Sequence, residues 1–353
     1  MKIFKKLICF SLVISASAFS QSSKDVTISF SGYVETFYAN DFQNSNTEKK
    51  LPFMYNYNRQ NEFNLNIGLL RTKVAFENGY ASFALHSGTY VEDNYANEKI
   101  KYVNEAFVGL YLDNEKKQTI EVGIMPSYIG FETANSSSNL TLTRSLLGEN
   151  SPYFMTGLKY NYSPSAKWSL SGLLTNGWQR IAKPNAKALP SLGSQIIYKP
   201  TENATFNWSL FIGDESIATE LRTRYFSNLY YDVKWGSKFR SIIGFDYGLQ
   251  KNSVGDGYDN WFSPVMITQY TINSKLQTAV RAEYYQDAKN VLIASGKEFK
   301  TFGTSFNLDY LTNSKMKIRS ELRYFNSKEA VFLRNDLTVN SNLFATMSWC
   351  YEF

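Results

Sequence analysis

The sequence predicts an all-β fold: a transmembrane, antiparallel, up-and-down β-barrel of about sixteen strands, with long outer loops and short periplasmic turns. Three observations predict it. Apolar and polar residues alternate over long stretches, which is the two-residue period of a strand. The connections between those stretches alternate between short and long. Aromatic residues make up 16% of the chain, with 25 Tyr and 26 Phe, yet mean hydropathy is only −0.33. Such a balance suits a structure with one greasy face and one wet face.

The alternation is clearest at the C-terminal end. In residues 339–353, Leu343, Ala345, Met347, Trp349, Tyr351 and Phe353 fall on one face, and Asn340, Asn342, Thr346, Ser348 and Glu352 on the other. Residues 315–325 set Met316, Ile318, Leu322 and Tyr324 against Lys317, Arg319, Glu321 and Arg323. Residues 221–235 set Leu221, Tyr225, Leu229, Tyr231, Val233 and Trp235 against Arg222, Arg224, Asn228, Asp232 and Lys234. The same reading places strands near 26–39, 60–77, 79–92, 100–113, 117–128, 152–163, 166–178, 190–199, 203–213, 219–235, 237–251, 258–272, 275–287, 299–311, 315–326 and 339–353. Each meets the roughly 9–11 residues that a tilted strand needs to cross a bilayer. Around Leu69–Leu70 the period slips. A β-bulge there and a misread strand both account for it.

Asn78-Gly79 is a tight-hairpin signal. Asp113 to Lys116, Ser163-Pro164-Ser165, Pro200-Thr201-Glu202, Gly236-Ser237, Asn273-Ser274 and Thr312-Asn313-Ser314 are further short turns. Longer polar loops lie between them, near 40–59, 93–99, 129–151, 179–189, 214–218, 252–257, 288–298 and 327–338. Short turns on one rim and long loops on the other is the layout of an outer-membrane barrel. A β-sandwich has no reason to keep that alternation along a whole chain.

Residues 1–20 read as a secretory signal peptide, leaving 21–353 as the barrel. Lys2, Lys5 and Lys6 precede a stretch from Leu7 to Ala18 of apolar and small residues. Ala16-Ser17-Ala18 and Ala18-Phe19-Ser20 both fit a cleavage site, and cleavage after Ser20 is favoured. Cys9 lies near the start of that stretch, not at its end as a lipidated cysteine requires. Loss of the three lysines lowers the net charge from +6 to +3, too balanced for a nucleic-acid binder. The remaining cysteine, Cys350, has no partner for an internal disulfide. No later segment approaches the roughly 18–20 continuous apolar residues of a membrane-spanning helix.

In lipid, only helices and closed sheets satisfy every backbone group. A closed sheet of about sixteen strands leaves a water-filled lumen. Its inner face is expected to carry Arg222, Arg224, Lys238, Arg240, Arg281, Glu283, Lys317, Arg319, Glu321 and Arg323 as pore-lining residues. Bases outnumber acids in that set, which predicts a weak preference for anions. Cross-strand pairing of these charges would cancel it. The loop from Ile129 to Ser151 is the candidate constriction, with Glu132, Arg144 and Glu149 as its charged members. The bland alternative is an external loop.

Catalytic and metal sites are not expected, nor any cofactor. His86 is the single histidine, so a zinc site with several His ligands is ruled out. No phosphate loop or dinucleotide fingerprint occurs. An enzyme is therefore not predicted.

The final strand, with Met347, Trp349, Tyr351 and Phe353 on one face, resembles the terminal signal by which the outer-membrane barrel assembly machinery recognises its clients. A second resemblance covers more of the chain. Phe30-Ser31-Gly32-Tyr33-Val34-Glu35 opens the first strand, and Glu105-Ala106-Phe107-Val108 precedes Val122-Gly123-Ile124-Met125 and Ile129-Gly130-Phe131-Glu132. Thr143 to Leu147, Thr156-Gly157-Leu158 and Thr175-Asn176-Gly177-Trp178 follow. This order is similar to the OmpL-like β-barrel porin family (beta-barrel porin-2) of Gram-negative bacteria, over residues 30–180 by motif and beyond by strand pattern. Phe131 stands where Tyr is the expected residue. The resemblance implies a channel in the bacterial outer membrane for passive diffusion of small polar or ionic solutes. Its partners would be outer-membrane lipid and the assembly machinery, with no nucleic acid. The alternative is a barrel plugged by loop 129–151 that acts as a structural or adhesive, partner-binding protein.

Overall fold

The computed structural model describes residues 26–43, 47–183, 188–215, 222–253, 255–335 and 337–353. The signal-peptide expectation for residues 1–20 lies outside them. The strands are β1 (Thr27–Asp41), β2 (Phe63–Phe76), β3 (Gly79–Ser87), β4 (Val103–Tyr111), β5 (Gln118–Pro126), β6 (Phe154–Ser165), β7 (Trp168–Thr175), β8 (Ser191–Thr201) and β9 (Ala204–Asp214). They continue with β10 (Thr223–Trp235), β11 (Phe239–Lys251), β12 (Tyr258–Thr271), β13 (Leu276–Asp287), β14 (Phe299–Leu311), β15 (Met316–Ser327), β16 (Phe332–Arg334), β17 (Leu337–Val339) and β18 (Ser341–Glu352). Sixteen of them form one closed barrel in which every neighbour is antiparallel. The short β16–β17 hairpin stands apart, inside the loop that precedes β18. Two short helices, α1 (Thr89–Asn94) and α2 (Leu146–Glu149), lie in long loops.

The barrel is inside-out relative to a soluble protein. On β14, Phe302, Phe306, Leu308 and Tyr310 face outward and are exposed, while Thr301, Ser305, Asn307 and Asp309 face inward and are buried. Transferring a Leu or Phe side chain out of water is worth about 1.5–3 kcal/mol. Such a stripe around the whole wall is stable only against lipid.

Strand β1 closes the barrel by pairing with β2 on one side and β18 on the other. At the seam, the amide of Gly32 donates to the Phe353 carbonyl at 2.8 Å, and the Phe353 amide donates back at 3.0 Å. The Phe353 ring packs over the bare Cα of Gly32, where a larger residue would have to push it aside.

Two expectations are corrected. The irregularity expected at Leu69–Leu70 lies at Asn66: Glu35 opposes Ile67 and Thr36 opposes Leu65, leaving Asn66 extra. The bulge turns Asn66 inward, where its carbonyl accepts from the Tyr57 amide at 3.0 Å. The strand expected over 79–92 ends at Ser87, because Gly88 takes φ 124° and starts α1.

The loops do not simply cap the barrel. Leu51, Phe53 and Met54 from the β1–β2 loop, and Ile129 and Leu146 from the β5–β6 loop, are buried against Trp261, Tyr285, Phe299, Phe325 and Phe344 of the wall. The barrel thus holds an apolar core within its lumen.

Candidate pore and constriction

The β5–β6 loop, residues 127–153, crosses the lumen from its own strands to the opposite wall. Inside a barrel its amides and carbonyls have little water to bond, so the wall must supply partners. Strands β13 and β15 do so with alternating acids and bases. Glu321 accepts from the Thr143 amide at 2.6 Å, and Glu283 accepts from the Leu146 amide at 2.6 Å. Arg281 donates to the Thr143 carbonyl at 2.6 Å, and Arg323 to the Arg144 carbonyl at 2.7 Å. Arg319 donates to the Ser136 and Asn139 carbonyls, and Lys317 donates to the Ser137 carbonyl at 2.6 Å. Nearer its start, the loop is held by Tyr128, whose hydroxyl donates to the Leu210 carbonyl at 2.7 Å, and by Asn228, which accepts from the Gly130 amide at 3.2 Å.

The same wall groups also pair with each other. Arg281 lies 2.6 Å from Glu321 and 3.3 Å from Glu283, Arg323 2.6 Å from Glu283, and Arg319 2.8 Å from Asp309. Charge-assisted bonds of this kind are the strong ones. Arg281, Glu283, Arg319, Glu321 and Arg323 therefore project inward, as their strand parity requires, but are no more than 3% exposed. A wet stripe was the expectation; the loop covers it.

The other expected lining residues are scattered. Arg224 is buried, with its guanidinium 4.9 Å from the Trp178 ring centre and 5.5 Å from that of Trp261. Arg222 is half-buried at the long-loop rim, where its side chain donates to the Lys251 carbonyl. Arg240 is half-buried and bonded to Asp232 at 2.6 Å. Lys317 is half-buried. Lys238 is a correction: it lies in the turn before β11, exposed, with its amine 5.9 Å from the centre of the outward-facing Tyr270 ring. Strand parity does not extend into that turn, so Lys238 belongs to the short-turn rim, on the lipid-facing side of the wall.

The loop's own charges turn inward on themselves. Arg144 and Glu149 pair at 3.2 Å, neither more than 1% exposed. The Arg144 guanidinium sits 3.3 Å from the Tyr153 ring centre, and Glu149 also accepts from the Tyr55 amide at 2.8 Å. Glu132 accepts from the Ser145 amide at 3.0 Å. Burial pushes its carboxyl up from the ordinary value, against the opposing pull of Arg281 and the Ser145 hydrogen bonds.

Sequence reasoning missed the second inward loop. Residues 40–59 were expected as a polar outer loop, yet Leu51, Phe53, Met54 and Tyr57 are at most 3% exposed. The apolar run Leu51-Pro52-Phe53-Met54-Tyr55 within a polar segment was the available signal. Both loops meet on Glu35, which is fully buried and accepts from Tyr57 at 2.8 Å, Ser136 at 2.5 Å and Ser348 at 2.8 Å.

The wall from β2 to β8 is less covered. Two pairs of its inner charges are Arg71 with Glu105 at 2.5 Å and Lys159 with Glu121 at 3.8 Å. Against this wall lie two cavities. One, of about 490 Å³, faces the short-turn side and is bordered by Arg71, Glu105, Phe131, Tyr153 and Glu352. The other, of about 450 Å³, faces the long loops and is bordered by Glu98, Phe154, Trp178, Arg180 and Glu215. Ser151 borders both. His86 is a wall residue with its ring nitrogens 2.9 Å from the Lys101 carbonyl and 3.1 Å from Asn104. Among the described residues, no group of three or more His, Cys, Asp or Glu side chains could hold a metal.

Comparisons with known proteins agree with this architecture. The model of the family described as beta-barrel porin-2, OmpL-like, matches residues 27–353. Among solved structures, the chain is similar to an anion-selective porin from Comamonas acidovorans, at TM-score 0.64 and 8% identity over 93% of this chain and 100% of that one. It is also similar to the outer membrane channel DcaP of Acinetobacter baumannii, at TM-score 0.63 and 11% identity over 94% and 99%. OmpT, an outer membrane protein of Vibrio cholerae, aligns at TM-score 0.62 and 9% identity over 93% and 100%. At these identities the likeness is one of fold. No curated protein matches the chain in sequence. The family match over nearly the whole barrel, together with its closed inside-out wall, identifies the chain as a member of the OmpL-like beta-barrel porin-2 family, located in the bacterial outer membrane.

Proposed function

We propose that the protein is a passive diffusion channel for small polar and ionic solutes rather than an enzyme. The observation that carries this is the pair of cavities on either side of the inward loop, both bordered by Ser151 and both set against the less covered wall. Size exclusion between loop 127–153 and that wall would set the cut-off, with the bordering charges acting as a filter. The test is single-channel recording of the refolded protein in a planar bilayer under a KCl gradient. Discrete, stable conductance steps are expected. A folded, heat-modifiable barrel that gives none would overturn the channel reading.

The anion preference is the finer part of the proposal. It drew on Arg281, Arg319 and Arg323, and each of these is within 2.8 Å of a carboxylate. Paired charges attract no net counter-ion, so its remaining support is the excess of Lys and Arg over Asp and Glu, 37 against 31 in the full sequence, of which Lys2, Lys5 and Lys6 lie in the expected signal peptide. The selectivity of the Comamonas porin is a property of that protein, and 8% identity is no basis for transferring it.

A second reading has one observation in its favour. The lumen core built by Leu51, Phe53, Met54 and Leu146 is apolar, as suits a plug. A plugged barrel would present its long loops to a partner, and the same recording separates the two.

The assembly machinery is a proposed partner through the C-terminal strand. The position of Phe353 at the closing seam supports it. Deleting Phe353 is expected to lower the yield of folded barrel in the outer membrane, read as the heat-modifiable fraction.

A further inference from the structure

The short turns repeat one arrangement. Lys167, Lys238, Lys275 and Lys315 are each exposed, and each is the last residue before a strand, β7, β11, β13 and β15 in turn. Each of their carbonyls accepts an amide from the strand that follows: Lys199, Thr271 and Leu311 donate at 2.8 Å and Glu352 at 2.9 Å. Asn273 and Asn313 shape two of these turns alike, accepting from the Lys275 and Lys315 amides at 2.8 Å. The residue after each lysine is on the outer face and opposes a tyrosine: Trp168 with Tyr198, Phe239 with Tyr270, Leu276 with Tyr310, and Met316 with Tyr351. Trp168 and Tyr198 stack with ring centres 4.3 Å apart, and those of Phe239 and Tyr270 are 4.7 Å apart. The amine of Lys238, 5.9 Å from the Tyr270 ring centre, shows a turn lysine reaching the lipid side of the wall.

We propose that these four lysine–tyrosine repeats bind the anionic headgroups of phospholipids in the leaflet that meets the short turns. The proposal goes beyond the channel reading and stands whether or not the barrel conducts.

The charge of this arc supports it. Besides the internal pairs Arg240–Asp232 and Arg319–Asp309, the same turns and strand ends add Lys199, Lys234 and Lys317 against Glu202 and Glu352. The β4–β5 turn is different: it holds Lys116 and Lys117 against Asp113 and Glu115, and Lys117 pairs with Glu115. The basic arc therefore coincides with the four repeats. Lysine lays its methylene stem on apolar surface and keeps its amine at the headgroups. Tyrosine settles at the same depth. Each lysine near an anionic leaflet adds attraction, which salt screens within a Debye length. A soluble acidic partner would have no use for a lipid-facing tyrosine beneath each amine.

The test compares the barrel in vesicles of phosphatidylcholine alone and of phosphatidylcholine mixed with phosphatidylglycerol, reading the urea midpoint. The unsubstituted protein should gain stability from phosphatidylglycerol, and high salt should erase the gain. A variant combining Lys167→Gln, Lys238→Gln, Lys275→Gln and Lys315→Gln should lose most of it. The matching control combines Lys99→Gln, Lys289→Gln, Lys297→Gln and Lys328→Gln, four exposed lysines on the long-loop side, and should keep it. Heat modifiability establishes that each variant is folded. No gain in the unsubstituted protein, or a gain indifferent to salt, would overturn the proposal without any variant. An equal loss in both variants would assign the gain to net charge alone and overturn it too, as would an undiminished gain in the first variant.

Discussion

Arg281 shows how one inner-face residue is used. Its guanidinium reaches the Thr143 carbonyl, Glu321 and Glu283 at once, and it is 1% exposed. Truncation would leave two buried carboxylates without their shared cation. Breaking a buried pair from one side costs roughly 3–5 kcal/mol. The backbone ladder of the strands is untouched; what is lost is the pairing with Glu321 and Glu283 on the wall and the bonds to Thr141 and Thr143 that dock the loop. Arg281→Ala is therefore expected to keep a heat-modifiable barrel, to widen and destabilise its conductance, and to expose loop 127–153 to added protease. Conductance and cleavage like those of the parent would show that the remaining anchors hold the loop unaided. At this scale the sequence revealed the direction of the side chain and hid its surroundings. Parity along β13 and β15 places Arg281, Arg319 and Arg323 on the inner face. Their burial depends on where a loop more than a hundred residues away is laid, and no local pattern encodes that.

Among the elements, the β1–β2 loop has a titratable group at its point of attachment. Lys50 sits with its amine 3.3 Å from the Thr346 hydroxyl and 4.3 Å from the Phe344 ring centre. Burial pulls its value down to about 7, assisted by Arg323 and opposed by Asp41, Glu321 and Glu149. In an undocked loop the same lysine would titrate near its ordinary value of about 10.4. The sign follows from proton counting. Below about pH 7 both forms hold the proton and docking is insensitive to pH; between there and the ordinary lysine range only the undocked form holds it, so docking strengthens as pH rises. Cleavage within residues 47–62 by a protease of matched activity should be slower near pH 9 than near pH 6.5. Lys50→Met should remove most of that difference; a difference that survives would place the titration elsewhere. The strands were largely legible, since apolar and polar residues rarely keep a period of two over ten or more positions outside a strand. The exception, β3, was overrun because Tyr90 and Val91 prolong the alternation past Gly88, and only the backbone turn at that glycine ends it.

For the whole molecule, the governing fact is that the wall has two solvents, lipid outside and loops with water inside. The sequence carried this plainly, in aromatics and aliphatics that alternate with polar residues along every long strand. It did not show that the inside holds an apolar core, because the Leu51–Tyr55 run is short and its packing partners lie on strands far along the chain. The lipid side makes a prediction that depends on depth. Phe306 is 53% exposed near the middle of β14, and Tyr310 is 41% exposed near its short-turn end. An arginine at the bilayer midplane costs about 2–4 kcal/mol, falling to about 0–1 kcal/mol near the interface, where the side chain reaches the headgroups. Phe306→Arg should therefore lower the urea midpoint of the vesicle-inserted barrel far more than Tyr310→Arg. In a soluble β-protein both positions would be exposed to water, and neither substitution would cost much. Equal and small effects would place this face of β14 against water or a partner chain; the graded loss is the signature of lipid.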